Sequence, residues 1–333
     1  MANFQNVGTF DLNTMPGGAK PFAMDAAGIA SGQAFLTSEL EKRDMLVRTP
    51  LTSFTYTRDI PIRVGGGWAE FVSAMNVGYG ITGGSGDGVI QAAAVDGIPL
   101  VQANFGKDLW KTHIISAGTR IFWVDMQRGN MTGRNLDTLL RDGLRMTYDK
   151  HMDENTYAGF AKYGTTGLLN NSAVTVVSAN ATWSTATVAQ ILDDVNGAIL
   201  DVWAAAGYDL DAIPNHILLP YEQYNYIATT MVTSLAEKSI LTYIEENNVA
   251  KKNGVDLFIG ATAWCDGAGA GGADRMVVYC NKERFVAMDE LVPLTRAMTT
   301  PNAERFSYDT AYAGNVSEVE VFYPETIEYV DGI

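Results

Sequence analysis

The stretch TGRNLDTLLRDGLRMTYDKHMDENTYAGF, residues 132–160, decides the fold class of this chain. Aspartate and arginine side chains occupy one side of its helical projection, and apolar side chains recur on the other at spacings of three and four. This pattern predicts one amphipathic helix, longer than the average helix of a globular protein. The apolar stripe consists of Leu136, Leu139, Leu140, Leu144, Tyr148 and Met152.

A second helix is predicted downstream, over STATVAQILDDVNGAILDVWAAAG, residues 184–207. Either Thr185 or Thr187 is placed to cap its start, and Gly207 is placed to end it. The stretch SILTYIEEN, residues 239–247, fits a helix and a strand equally well. The chain therefore contains at least two strongly amphipathic helices after residue 130.

Short apolar runs predict strands around these helices. They include NHILLP (215–220) and RMVVYC (275–280), and the alternation of Phe54, Tyr56 and Arg58 is also strand-like. Because strands and helices do not alternate as in a βαβ series, an α+β layout fits better than a doubly wound parallel sheet.

Upstream of the long helix, residues 65–106 are rich in glycine and contain no Lys or Arg. This composition predicts a long two-stranded loop with its tip around residues 83–88, and a long irregular segment of this kind usually has a function or a partner. Exposed aromatic side chains on such a loop are typically covered by another chain, the alternative being that the loop folds back on its own domain. The candidate interface residues are Trp68, Phe71, Tyr79, Gly83 and Phe105.

The same segment contains NVGYGITGGSGDG, residues 76–88, in which Gly78, Gly80 and Gly83 form a literal G-x-G-x-x-G. A dinucleotide site needs a buried strand before this motif and a helix that opens at its third glycine. The following GGSGDG cannot begin a helix, because glycine resists ordering. We expect a loop rather than a cofactor site, and a nucleotide-binding enzyme that uses Gly78–Gly83 remains an alternative.

No catalytic or metal-binding constellation stands out in the sequence. His113, His151 and His216 are scattered, and Cys265 and Cys280 are far apart without the short spacing of a zinc site. Adjacent acidic pairs on helices do not face each other and are not acid/base dyads. We therefore predict a non-enzymatic chain with no catalytic residue, no cofactor and no metal.

The charge balance limits the possible partners. The chain has 333 residues, a net charge of −15 and no basic run. Specific nucleic-acid binding requires a Lys/Arg footprint, so contact with double-stranded DNA is expected to be weak and non-specific. No signal peptide or membrane span is expected, which predicts synthesis in the cytoplasm. Residues 301–333 carry one Arg and seven Asp/Glu, which predicts an end that is solvated or faces a basic partner.

The order of these segments resembles the major capsid protein of tailed bacteriophages, a fold shared by encapsulin compartments and the herpesvirus capsid floor. The resemblance spans about residues 45–333 and depends on the order of several local matches. These are IFWVDMQRGNMTGRNLDTLLRDGL (121–144), GTTGLLNN (164–171), HILLPYEQYNYI (216–227), DRMVVYCNKERFVAMDELVP (274–293) and VEVFYPETIEYVDGI (319–333).

This resemblance implies a division of the chain into named parts. In order they are an N-terminal arm (1–59), an extended loop (60–108), a peripheral domain (109–189) with its spine helix at 132–160, an axial domain (190–300) and a return to the peripheral domain (301–333).

The resemblance also implies a function. Many copies would associate through hexameric and pentameric capsomers into an icosahedral head shell around a phage genome, assembled in the host cytoplasm and present in the virion. Scaffolding, portal and decoration proteins are implied as separate partners. Some relatives crosslink through a lysine of the extended loop, but residues 64–106 have none, so we predict a non-covalent shell. The alternatives are an encapsulin-type compartment and, less in keeping with the absent export signal, a surface-layer protein.

Overall fold

The computed structural model describes residues 50–82, 100–132, 135–233 and 238–333. The chain divides into two units, Met1–Ser53 and Phe54–Ile333, and the elements described below belong to the second. Gly83, the predicted loop tip and nearly all of the predicted N-terminal arm lie outside the described residues.

Helices and strands are mixed along the described chain. In order they are α1 (Tyr56–Asp59), β1 (Ile62–Val64), β2 (Phe71–Thr82), β3 (Leu100–Phe122), α2 (Trp123–Thr132), α3 (Leu136–Ala158), β4 (Thr175–Ser178), α4 (Val188–Ala205), β5 (His216–Leu219), α5 (Tyr221–Thr229), α6 (Ile240–Asn247), α7 (Val249–Lys252), β6 (Phe258–Ala261), β7 (Arg275–Tyr279), β8 (Val286–Asn302), β9 (Ser307–Val321) and β10 (Ile327–Asp331).

The strands of the described residues form two five-stranded sheets. The first has the order β1-β8-β9-β3-β2, and the second has the order β4-β10-β7-β5-β6. Most neighbours are antiparallel, whereas β1–β8, β4–β10 and β5–β6 run parallel. Helices pack on these sheets without strict alternation along the chain, so the prediction of an α+β fold is confirmed.

The long predicted helix is α3. It begins after Asn135, whose side chain accepts the backbone N–H groups of Asp137 and Thr138, which satisfies donors that have no partner inside the helix. It ends at Gly159, where φ is +69°. A Cβ atom there would lie 2.5 Å from the carbonyl oxygen of Thr165, so only glycine fits this turn.

The second predicted helix is α4, and Thr187 rather than Thr185 caps it. Thr187 and Gln190 form a reciprocal capping box, and Gly207 follows the helix with a φ of +67°. The ambiguous stretch 239–247 is helical, because the Ser239 side chain accepts the N–H of Thr242 and starts α6.

The strand-like pattern of Phe54, Tyr56 and Arg58 is a wrong prediction, because these residues lead into the short helix α1. The cause is a carboxylate from the long helix. Asp153 of α3 accepts the backbone N–H groups of Thr55 and Tyr56 at 2.9 and 3.1 Å. An anion at a helix N-terminus stabilises the turn, and no local sequence pattern contains this contact.

Among the residues that the structure describes, two apolar clusters make up the core. One joins the C-terminal half of α3 to β7, β8, β9 and β10, and the other joins α4, α5, α6 and α7 to the second sheet. Within 301–333, Glu320, Glu328 and Asp331 are buried. The prediction that this end is solvated or faces a basic partner is therefore wrong for these three acids, since β9 and β10 are interior strands of their sheets.

Candidate subunit interface

Strands β2 and β3 form a two-stranded ribbon. They pair in an antiparallel register that runs from Phe71 opposite Lys111 to Thr82 opposite Leu100. Beyond Lys111, β3 leaves β2 and pairs with β9 instead. Hereafter "the ribbon" means residues 71–82 and 100–111. It is the extended two-stranded segment that the glycine-rich composition predicts.

One face of the ribbon is apolar. Side chains alternate between the two faces of a strand, and directly opposed residues share a face. The register therefore places on one face a set of large side chains that are 42–77 % exposed. This set, called the apolar face below, consists of Phe71, Met75, Val77, Tyr79, Val101, Phe105 and Leu109.

The opposite face of the ribbon is small and polar. Gly78, Gly80 and Gly106 lie on it, and Asn76 donates a hydrogen bond across the strands to Asp108. Near the base of this face, the Trp110 ring packs edge-on against Phe322 with a centroid separation of 5.1 Å. One face of the ribbon therefore presents large apolar side chains to a partner, whereas the other presents mainly small and polar ones.

A run of three glycines connects the ribbon to β1. Gly65, Gly66 and Gly67 have φ values of +128°, +113° and +68°, a region that other residues rarely adopt. The turn is fixed by backbone bonds: Gly65 N–H donates to Glu290 O at 3.1 Å, and Gly67 N–H donates to Leu291 O at 3.3 Å. The ribbon thus leaves the sheet through a turn whose shape requires glycine.

A partly buried ion cluster lies just before this turn. Arg63 of β1 donates to Asp289 at 2.5 Å and to the buried carboxylate of Glu320. Burial, together with the nearby Asp289 charge, raises the pKa of Glu320 to about 7, while Arg63 opposes this shift. The cluster links β1, β8 and β9 beside the ribbon.

The predicted interface residues share this region where the structure describes them. Phe71, Tyr79 and Phe105 lie on the apolar face, and Trp68 is 57 % exposed in the segment before β2. Gly83 lies outside the described residues. That another chain covers these side chains stays a prediction.

Sequence reasoning missed four members of the apolar face: Met75, Val77, Val101 and Leu109. The signal was the period-two alternation of apolar residues, which begins at Phe71 and continues through the return strand. Glycines at even positions obscured it.

The glycine motif has a different setting from the one expected. Gly78 and Gly80 lie in the middle of β2, opposite Asn104 and Gln102, so these two glycines belong to a paired strand and not to a loop. An antiparallel ribbon lacks the strand-to-helix turn that holds a pyrophosphate. Gly83, where the helix of such a motif would begin, lies outside the described residues, and the described part of the motif gives the nucleotide-binding alternative no support.

The histidines occupy separate environments. His113 packs between Phe160 and Tyr163, His151 is exposed beside Glu154, and His216 contacts Asn281. Burial lowers the pKa of His113 and of His216. Their surroundings do not place a nucleophile beside a base in the described part of the chain.

Both cysteines are free and buried. Burial raises the pKa of Cys280 to about 11 and raises that of Cys265 further, which keeps them as unreactive thiols. Among the residues that the structure describes, no three or more His, Cys, Asp or Glu side chains group together to hold a metal. No described helix is long and apolar enough to cross a membrane.

Grooves in the described surface lie away from the ribbon. One of about 410 Å³ is lined by Gly118, Arg120, Met298 and Asp309 among others, on the distal part of the first sheet. Another of about 390 Å³ lies where α2 approaches α3. Neither brings catalytic groups together.

Comparison with known proteins agrees with this architecture. A sequence profile of the major capsid protein family matches residues 86–333. The chain belongs to this family. No curated protein matches the sequence.

Solved structures share the fold. The chain is similar to the capsid of Myoviridae phage XM1, with a TM-score of 0.75, 17% identity, and coverage of 89% of this chain and 98% of that one. It is also similar to the capsid of a native GTA particle (TM-score 0.64, 12% identity, 93% and 99% covered). A third match is Microbacterium phage Oxtober96 (TM-score 0.62, 12% identity, 92% and 98% covered).

The family and the fold define a structural protein of the phage capsid shell, which associates with copies of itself and forms part of the virion. The expected capsid fold and shell function are thereby confirmed.

Proposed function

We propose that copies of this chain associate through hexameric and pentameric capsomers into a closed icosahedral head, with the ribbon of each copy lying against a neighbour. The apolar face carries the proposal. Soluble monomers rarely leave a contiguous set of large apolar side chains in water, and a two-stranded ribbon is marginally stable by itself. A neighbouring copy supplies the missing cover.

The interface candidates Trp68, Phe71, Tyr79 and Phe105 fit this role because they are large and exposed, and lie on or beside one face. Burial of an aromatic side chain of this size contributes about 1.5–3 kcal/mol. Gly83 is proposed as part of the same contact on its sequence position alone. Aromatic anchors commonly carry most of the energy of an interface.

The enclosed cargo is proposed to be double-stranded DNA, held by weak non-specific contact. The net charge of −15 supports a wall that does not grip the genome. Assembly is proposed to occur in the host cytoplasm. A scaffolding protein, a portal and a decoration protein are proposed as separate partners.

The parts of the chain are proposed to follow the family's division. The first sheet with α3 corresponds to the peripheral domain, and the ribbon corresponds to the extended loop. The second sheet with α4, α5, α6 and α7 corresponds to the axial domain. Because β4 and β10 pair within that second sheet and β8 lies in the first, we assign residues 175–178 and 327–331 to the axial side and residues 286–302 to the peripheral side.

The test is assembly of the full chain, followed by sedimentation and negative-stain microscopy. Phe105→Ser is expected to raise the concentration needed for shells at least about fivefold, since losing one anchor costs about 1–3 kcal/mol per contact. Phe105→Leu keeps an apolar side chain and is the matched control. A wild-type chain that stays monomeric at every concentration contradicts the proposed function.

A further inference from the structure

The four edge strands of the two sheets differ greatly in length. At the edges of the first sheet lie β1, with three residues, and β2, with twelve. At the edges of the second sheet lie β4 and β6, with four residues each. Short edge strands are one way in which proteins prevent unwanted pairing. Strand β2 is the exception in the described sheets.

The direction of the free backbone groups of β2 follows from two hydrogen bonds at the base of the ribbon. Thr112 N–H donates to Glu70 O at 3.3 Å, whereas Lys111 N–H points away from β2 and donates to the Glu318 carboxylate at 2.9 Å. Along two antiparallel strands, directly opposed residues alternate between hydrogen-bonded pairs and non-hydrogen-bonded pairs, whose N–H and C=O groups point away from the partner strand. The odd-numbered residues of β2, from Phe71 to Tyr79, therefore direct their N–H and C=O groups outward.

This edge carries no protection against pairing. The sequence of β2, FVSAMNVGYGIT, contains no charged residue and no proline. The long outer edge of β8 beyond Glu290 is different, since it has Pro293, Arg296 and Pro301 and several register irregularities. Prolines, charges and bulges are the usual devices that block an edge.

The other edge of the ribbon is protected at its base. There β3 carries Lys107, Asp108 and Lys111, whereas Val101–Gly106 carry no charge, and Glu318 already accepts the outward N–H of Lys111. Of the two edges of the ribbon in the described structure, only that of β2 is uncharged along its whole length.

We propose that the outer edge of β2 accepts an extended strand from a second copy of this chain, so that the ribbon becomes three-stranded on assembly. This inference rests on the proposed shell function, which supplies identical copies at high local concentration. Main-chain hydrogen bonds provide the affinity in strand addition, and alternate side chains provide the fit. The odd-numbered residues whose backbone groups face outward also carry the apolar face.

Charge supports a second copy as the occupant. Lys107 and Lys111 share a face with the apolar side chains, and that face carries no Asp or Glu. The chain as a whole has a net charge of −15, so a second copy offers the acidic surroundings that these two lysines favour. A strand beside β2 adds a third strand to a ribbon that is marginal with two.

Hydrogen exchange of assembled particles against the unassembled full chain tests this inference directly. In particles, the amides of Ser73, Met75, Val77 and Tyr79 are expected to gain protection that they lack in the unassembled chain. Particles in which these outward amides still exchange freely overturn strand addition and leave the shell function intact. A wild-type chain that forms no particles overturns both.

A single proline substitution in β2 gives a second test of this inference. Val77→Pro removes one outward N–H, and proline is tolerated on an edge strand whose N–H does not enter the ladder. Val77→Ile keeps the N–H and an apolar branched side chain and is the matched control. We expect Val77→Pro to lose assembly while its unassembled circular dichroism matches the control. Assembly of Val77→Pro at the control's concentration contradicts the inference.

Discussion

Two buried glutamates have different surroundings although both have raised pKa values. Glu320 faces Arg63, which partly compensates its burial. Glu328 of β10 has no cation beside it in the described residues, and burial together with the Asp201 charge raises its pKa to about 7. Burial of a carboxylate without a partner disfavours the charged form. Glu328 is therefore the acid whose removal is expected to stabilise the chain.

Replacement of Glu328 by Gln is expected to change how stability depends on pH. Below about pH 4.5 the group is protonated in both the folded and the unfolded chain. Between about 4.5 and 7 the unfolded chain loses its proton first, so wild-type stability falls as pH rises. Glu328→Gln removes this fall and is expected to gain about 1–3 kcal/mol above pH 7.

The measurement is urea unfolding of the unassembled chain at pH 4 and pH 8. Glu325→Gln, an exposed position three residues away, is the control and is expected to change little. If Glu328→Gln changed the free energy of unfolding equally at both pH values, burial of the charged carboxylate would not be what destabilises the wild-type chain.

Replacement of glycine by alanine is expected to have opposite effects on stability at two positions. A Cβ atom at Gly167 would lie 2.4 Å from the carbonyl oxygen of Tyr157, whereas a Cβ atom at Gly197 in α4 meets nothing within 4 Å. Gly167→Ala must therefore displace backbone and is expected to destabilise the chain by about 2–4 kcal/mol. Gly197→Ala is expected to stabilise it by about 0.5–1 kcal/mol, since alanine is the better helix former.

Thermal unfolding of the two alanine variants beside wild type measures this difference. Both variants add the same methyl group. Changes of opposite sign in their stability would therefore come from the space around each glycine and not from the added methyl group itself. A Gly167→Ala chain as stable as wild type would mean that the 157–167 contact is looser than the structure describes.

At the level of elements, helix α1 depends on the carboxylate of Asp153. This side chain accepts the N–H groups of Thr55 and Tyr56 and, at 2.6 Å, the indole N–H of Trp264. Asp153→Ala leaves these donors without a partner and is expected to cost about 2–4 kcal/mol, because hydrogen bonds to a buried charge are the strong ones.

Urea unfolding of the unassembled chain checks this cost. Glu154→Ala removes a neighbouring acid from the exposed side of α3 and is expected to stay within about 0.5 kcal/mol of wild type. Similar unfolding of the two variants would exclude Asp153 as the anchor of α1.

Elements whose signals are local could be predicted from the sequence, and elements fixed by distant contacts could not. The stripe from Leu136 to Met152 and the caps of α4 are contained in short windows, so both helices were predictable. Helix α1 depends on Asp153, which lies far along the chain. The burial of Glu320 and Glu328 depends on the order of strands in the sheets, and the number of charged residues in a segment does not indicate that order.

The candidate interface was predictable in part for the same reason. Composition alone indicated an exposed aromatic segment, and three of its predicted residues, Phe71, Tyr79 and Phe105, lie on one face. The register between β2 and β3 was needed to find the rest of that face. The alternation within each strand is visible in the sequence, but the register that joins the two strands depends on backbone contacts at the base of the ribbon, such as Thr112 N–H to Glu70 O.

At the scale of the whole molecule, the chain passes repeatedly between its two sheets. Strand β7 belongs to the second sheet, β8 and β9 belong to the first, and β10 returns to the second. One apolar cluster includes residues of all four strands. The sheets therefore share a core, whereas the ribbon lies beyond the pairing of β3 with β9 and buries little of its own surface. An assembling chain can change the ribbon's surroundings without disturbing that core.

Because the ribbon lies outside the core and its distal part has no lysine, the shell is expected to be held by non-covalent contacts alone. Residues 64–106 contain no Lys, and the lysines of the ribbon, Lys107 and Lys111, lie in the half of it nearest the start of the β3–β9 pairing. Denaturing electrophoresis of mature particles is expected to give only the monomer band. Lys107→Arg keeps the charge but removes the amine, so its particles should give the same gel. Ladders in wild type that disappear in Lys107→Arg would show that the ribbon base is covalently linked after all.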